Sequence, residues 1–117
     1  MAEKDELGRR GEQVAAEWFE ARGCRVVARN WRTRSGELDL IVCDGPTTVV
    51  VEVKTRSSLA FGHPFEAITA QKAARLRRLA AEWCHENGPV DDLRIDAIAV
   101  TYAWRAAPTI EHLRGVA

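Results

Sequence analysis

The stretch from Glu37 to Lys54 constrains this chain more than any other. Glu37–Cys43 and Thr48–Lys54 each alternate polar with apolar residues, and Asp44-Gly45-Pro46-Thr47 between them is a turn signal. The two segments therefore read as a β-hairpin. Its register follows from the patterning, because Leu38, Leu40 and Val42 must share a face with Val49, Val51 and Val53. With Asp44 to Thr47 as the loop, Cys43 pairs with Thr48; further along, Asp39 falls opposite Glu52 and Glu37 opposite Lys54. Side chains so opposed have Cβ atoms about 5 Å apart. Two carboxylates and a lysine are thus predicted to converge on one face, which carries Ile41 and Val50 toward the turn.

The remaining elements fall around this hairpin. Leu7, Val14, Ala15, Trp18 and Phe19 are spaced as one face of a helix over about Asp5 to Arg22, with Gly23 to end it. Cys24 to Trp31 is strand-like. Arg56 to Glu66, holding Gly62 and Pro64, is a loop suited to contacting a substrate. Thr69 can cap a second helix whose stripe is Leu76, Leu79, Ala80 and Trp83, and Asn87-Gly88-Pro89 stops it. Leu93 to Tyr102 is a further strand, and Pro108 to Leu113 a final short one. The order α-β-β-β-α-β with that last strand predicts an α/β fold, a mixed sheet flanked by helices, since the second helix should return a strand parallel to its neighbour. At 117 residues the chain suits a single domain spanning 1–117.

Directly opposed like charges destabilise a sheet, so the Asp39 and Glu52 pair calls for a compensating positive charge. Mg²⁺ or Mn²⁺ would supply it, being satisfied by one or two carboxylates together with water and phosphate oxygens. Lys54, two residues beyond Glu52 on the same face, could then orient or deprotonate a water and neutralise charge building at phosphorus.

These residues also carry a resemblance. Gly36-Glu37-Leu38-Asp39-Leu40, followed thirteen residues after Asp39 by Glu52-Val53-Lys54, resembles the PD-(D/E)xK nuclease signature of the restriction-endonuclease-like superfamily. Leu38 stands where a proline usually precedes the motif aspartate. Gly11-Glu12-Gln13, Asn30-Trp31-Arg32, Val51 to Ser57, Gly62-His63-Pro64, Lys72 and Arg94-Ile95-Asp96 together resemble the YraN family of largely uncharacterised bacterial proteins, which is similar to archaeal Holliday junction resolvases. The likeness runs from about Gly8 to Val100. It implies a restriction-endonuclease-like fold and a metal-dependent endonuclease acting on DNA, with branched or otherwise structured DNA as one form of substrate. Asp39 and Glu52 would be metal ligands, Lys54 the catalytic lysine, and Glu12 the helical acid that completes the metal site. An enzyme cutting symmetric junctions should act as a homodimer, since one domain holds one site and two strands must be nicked. The alternatives are a nucleic-acid-binding module that keeps the fold with little or no cleavage, and a protein-interaction domain with a vestigial site.

Charge bears on the partner. Net charge is zero, from 17 Lys and Arg against 17 Asp and Glu, but it is segregated: five arginines and no acid lie in Ala21 to Gly36, and six bases against Glu66 alone in Lys54 to Arg78. Arg32, Arg34 and Arg56 flank the acidic strands and could place phosphates; Lys72 and Arg75, with Arg78, could continue that surface along the second helix. A solvated face with a Glu82 to Arg78 pair would explain the helix charges equally well. Glu37 could serve as the ion-pair partner of Lys54 or lie behind the metal ligands. His63 is expected to be structural, and Trp31 and Trp104 are the tryptophans best placed for exposure. Cys24, Cys43 and Cys84 form no CxxC and read as small buried hydrophobes. No apolar run approaches a membrane span and Met1 to Arg10 is too charged for a secretory signal, so a cytoplasmic protein without a membrane partner is expected.

Overall fold

The computed structural model describes residues 3–60 and 62–117. Met1 and Ala2, in the charged N-terminal segment, and Phe61, in the expected loop, lie outside the described residues. The chain runs α1 (Glu3–Ala21), β1 (Arg25–Thr33), β2 (Gly36–Asp44), β3 (Thr47–Arg56), a short 3-10 turn (Pro64–Ala67), α2 (Ala70–Asn87), β4 (Asp92–Thr101) and β5 (Thr109–Leu113). The sheet order is β1-β2-β3-β4-β5. Neighbours are antiparallel except β3 and β4, which are parallel because α2 carries the chain back across the sheet. The architecture is therefore α/β with a five-stranded mixed sheet and two helices, and the final short strand is present. Among the described residues no helix is long and apolar enough to cross a membrane.

One helix covers each face of the sheet. Ala15, Ala16 and Phe19 of α1 pack on Leu40, Val42, Val49, Val51, Ile98 and Val100. Leu76, Leu79, Ala80 and Trp83 of α2 pack on Leu38, Ile41, Val50 and Ile95. β3 feeds both layers through its pleat, Val49 and Val51 one way and Val50 the other. Helix ends are set by local chemistry. Gly23, at φ 87°, lets its own N–H reach the carbonyl of Glu20 and that of Cys24 reach Phe19, which closes α1. Thr69 caps α2, its hydroxyl accepting from the N–H of Lys72 at 3.1 Å. Helix α1 also packs tightly on a β3 side chain: a Cβ at Gly11 would lie 1.9 Å from Thr55 Oγ1.

Several local expectations are corrected. The hairpin keeps its register, Cys43 facing Thr48, but Asp44 pairs with Thr47, so the connection is the two-residue turn Gly45-Pro46. Leu38 does not share a face with Leu40 and Val42; it packs under α2 with Ile41. The cause is a reversal shared by two strands. In β1, Ala28 and Trp31 both face α2 although three residues apart, as Ile41 and Leu38 do in β2. Between these pairs lie Asn30 and Asp39, opposite each other, and Asn30 adopts φ 51°, a left-handed conformation that asparagine tolerates better than most residues. The reversal turns Trp31 inward, so of the two tryptophans expected at the surface only Trp104 is exposed. The three cysteines are free and half-buried rather than fully buried, Cys24 and Cys84 at the edges of the two cores. No ion pair joins Arg78 to Glu82; one carboxylate oxygen of Glu82 is buried without a hydrogen-bond partner.

At the far edge, Asp96 of β4 is fully buried and gathers four donors. Arg94 bonds both its oxygens at 2.8 and 3.0 Å, His112 Nε2 lies at 2.7 Å, and the Gly115 N–H at 3.1 Å. Burial pushes its carboxyl up, but Arg94, His112 and the Gly115 amide outweigh that and hold it below the usual range. Asp96 thereby fastens β5 and the segment after it to the sheet.

Candidate functional site

The backbone ladder between β2 and β3 runs from Asp44↔Thr47 to Leu40↔Val51 and stops. One residue further on, a side chain replaces the missing acceptor: Asp39 Oδ2 takes the N–H of Val53 at 2.9 Å. This sets the Asp39 carboxyl beside that of Glu52. The reversal at Asn30 and Asp39 is what frees the strand from its partner there. Glu52, next in β3 and only 5% exposed, faces α2 along with Val50.

Two ammonium groups surround the pair. Lys72 Nζ of α2 lies 3.0 Å from Glu52 Oε2, and Lys54 Nζ lies 3.9 Å from the same oxygen. Burial, and then the neighbouring Glu52 carboxyl, push the Asp39 pKa up to about 9. Burial also pushes Glu52 up, but Asp39 and both lysines reverse the sign and hold it low. The two carboxyls are thus driven apart in acidity, Asp39 upward and Glu52 downward, and titrate as a pair. Lys54 is lowered by burial and by Lys72 beside it, against the pull of Glu52. Burial lowers Lys72 as well, yet its close contact with Glu52 leaves it raised.

The other residues singled out by the sequence fall into two groups. Glu12 of α1 lines an open cleft with Arg9, Asn30, Arg32 and Glu37. Its carboxyl is raised by burial and by Glu37, while Asn30, which lines the same cleft, works the other way. Asn30 thus stands between Glu12 and Asp39, and among the described residues no third histidine, cysteine or carboxylate joins the pair as a ready metal-binding cluster. Glu37 does not pair with Lys54. Because the β2–β3 ladder ends at Leu40, Glu37 stays with its β1 neighbour and binds Arg32 Nε at 2.7 Å. Arg34 is exposed at the β1–β2 turn, and Arg75 of α2 lies beside Gly36 at the same end of the sheet. Arg56 ends β3 half-buried, its guanidinium on the Thr55 carbonyl at 3.0 Å. His63 caps the short 3-10 turn by accepting from Phe65 N–H, and its other ring nitrogen meets Glu111 at 2.5 Å, a structural role as expected.

Two participants were not expected at the carboxylates. Lys72 was placed on a phosphate-tracking surface, and its contact with Glu52 depends on where α2 crosses the sheet, which no spacing along the chain encodes. Asn30 had a local signal, an asparagine in the middle of a strand, where that residue is otherwise disfavoured.

The sequence is similar to chains already grouped together. The model of the uncharacterised protein family UPF0102 matches residues 11–100. A UPF0102 protein of Leifsonia xyli subsp. xyli is 62% identical over 117 residues, covering 99% of each chain. One from Beutenbergia cavernae is 57% identical, again over 99% of each chain. One from Acidothermus cellulolyticus is 45% identical over 123 residues, covering 96% of this chain and 93% of that one.

Proposed function

Since the chain belongs to the uncharacterised protein family UPF0102, a name that carries no activity, we propose a function from the site itself: a divalent-metal-dependent phosphodiesterase that cuts DNA as an endonuclease. The observation that carries this reading is the pair of carboxylates, half-buried Asp39 beside buried Glu52, flanked by Lys54 and Lys72. A fold that needed these groups only for stability would not oppose two acids in its interior.

The donor set fits Mg²⁺ or Mn²⁺. Asp39 and Glu52 offer hard oxygens from adjacent strands, and two acids set side by side mark a place where positive charge is required. With two protein ligands, the rest of the shell would come from water and phosphate, and the ion would act as a Lewis acid on the scissile phosphodiester. Glu12, in the neighbouring cleft, could join through a water. The protein groups would do the rest. Lys54, its pKa lowered by burial and by Lys72, is suited to take a proton from the attacking water or to steady it. Lys72 would hold the Glu52 carboxylate in its rotamer. Arg32, Arg34, Arg56 and Arg75 would bind phosphates without regard to sequence. The mixed sheet, with its β2–β3 hairpin followed by a helix and a parallel strand, is what a restriction-endonuclease-like fold would use to bring these groups together.

One observation favours a second reading. Lys72 already neutralises Glu52 at 3.0 Å, and a site so balanced could belong to a nucleic-acid-binding module that does not cut. Nicking of supercoiled plasmid with Mn²⁺ or Mg²⁺ distinguishes the two. An endonuclease nicks, and Asp39→Asn or Glu52→Gln reduces the rate by about 10²-fold or more. DNA binding with no metal-dependent nicking in the unaltered chain would establish the module instead.

A further inference from the structure

The turn from Tyr102 to Pro108 joins β4 to β5 and presents a single tryptophan to solvent. Trp104 is 60% exposed. Its mount is fixed. Tyr102 takes φ 58°, and Arg105 N–H closes back on the Tyr102 carbonyl at 3.0 Å. Ala103, between them, is fully buried; its N–H reaches the Arg56 carbonyl at 3.4 Å and its own carbonyl accepts from Arg10 Nε at 3.2 Å. The Arg105 guanidinium lies 3.9 Å over the Tyr102 ring. A ring held out on such a base loses little conformational freedom when something stacks on it.

Its position matters as much as its exposure. β3 and β4 are parallel and Arg56 pairs with Thr101, so the turn stands at the end of the sheet toward which Glu52 and Lys54 point the chain. Ala103 packs with the α1 core and Glu52 faces α2, so the turn sits on the α1 side of the end of the sheet that the site strand runs toward. The surroundings are cationic: Arg10, Arg56 and Arg105 adjoin the turn, and Tyr102 to Pro108 contains no acid. An aromatic face among guanidinium groups is how single strands are held, with the backbone drawn by charge and the base by stacking. Within a duplex both faces of each base are already covered, so the ring can stack only on a base that is unpaired or at an end.

We propose that Trp104 is a stacking platform for an unpaired nucleobase, and that the nucleic acid bound by this chain carries a single-stranded segment that reaches the β4–β5 turn. This rests on the nuclease reading above and specifies its substrate class. The test is binding measured by fluorescence anisotropy in EDTA, so that no cleavage intervenes, comparing a duplex bearing an internal single-stranded gap with the continuous duplex of the same sequence and ends. The unaltered chain should prefer the gapped DNA. Trp104→Ala should weaken gapped binding about tenfold and continuous-duplex binding less than twofold, while Trp104→Phe should keep most of the preference. Equal losses on both DNAs, or no loss on either, would overturn the platform and leave the nuclease reading standing. If the unaltered chain binds neither DNA, the platform is overturned, while the nuclease reading stands or falls on the metal-dependent nicking assay above. Sedimentation of the same variants separates the remaining occupant: self-association lost in Trp104→Ala with DNA affinity intact would assign the ring to a contact between copies of the chain and overturn the proposal.

Discussion

Folding pushes the Asp39 carboxyl well above its ordinary range, and the consequence for stability has a definite sign. Its folded pKa is raised to about 9, against an ordinary value near 4 in the unfolded chain. Between those limits the native state binds the extra proton, so the Asp39 contribution is fully present below about pH 4 and is lost as pH rises toward 9. Asp39→Asn, which has nothing to titrate, should therefore gain on the unaltered chain as pH rises from 5 to 8, by the order of 1 kcal/mol per pH unit, in thermal denaturation at the two pH values. Entry of a divalent ion should release that proton, and calorimetry in buffers of different ionisation enthalpy would count it. Lys72→Met should act in two directions. Loss of the 3.0 Å contact with buried Glu52 should lower stability by roughly 1–2 kcal/mol in urea denaturation, while Mn²⁺ should bind more tightly once its resident competitor is gone. Alternation along two strands was enough to bring Asp39, Glu52 and Lys54 together. It could not reveal Lys72, whose part is decided by the packing of a helix, nor could it separate Glu37 from Lys54, because the end of a ladder leaves no mark in the pattern of apolar residues.

Among elements, the hairpin shows most clearly what a sequence pattern can and cannot convey. Its register was legible because slipping by one residue would turn Val49 and Val51 away from α1. The reversal at Asn30 and Asp39 was not, since Leu38, Leu40 and Val42 alternate as though the strand were regular throughout. Both helices were legible with their caps at Gly23 and Thr69, because capping is local chemistry. The closeness of α1 to β3 was not, although Gly11 is its trace. Gly11→Ala would place a methyl 1.9 Å from Thr55 Oγ1, with the Thr55 Cβ itself only 2.7 Å away, so rotating the threonine cannot relieve it. The helix must lift, and a loss of roughly 1–3 kcal/mol in chemical denaturation is expected, although alanine favours a helix over glycine.

For the whole molecule, zero net charge would suggest indifference to a polyanion, yet the bases are gathered rather than scattered. If Arg32, Arg34 and Arg56 each meet a phosphate, DNA affinity should fall with salt at a logarithmic slope near −3, and titration from 50 to 200 mM salt would measure it. The opposite edge of the sheet depends on Asp96. Asp96→Ala would leave Arg94 and His112 without their acceptor, and a loss of about 3–5 kcal/mol is expected in equilibrium unfolding, with β5 the first strand to lose amide protection in hydrogen exchange. The strand order matches the order of synthesis, β1 to β5, with a single crossover through α2. The sheet can therefore be laid down one strand at a time as the chain leaves the ribosome. Asp39 and Glu52 meet on strands that emerge before α2, so for part of its translation the nascent protein carries the acidic pair without Lys72, and docking of that helix is what first makes the hairpin safe to bury.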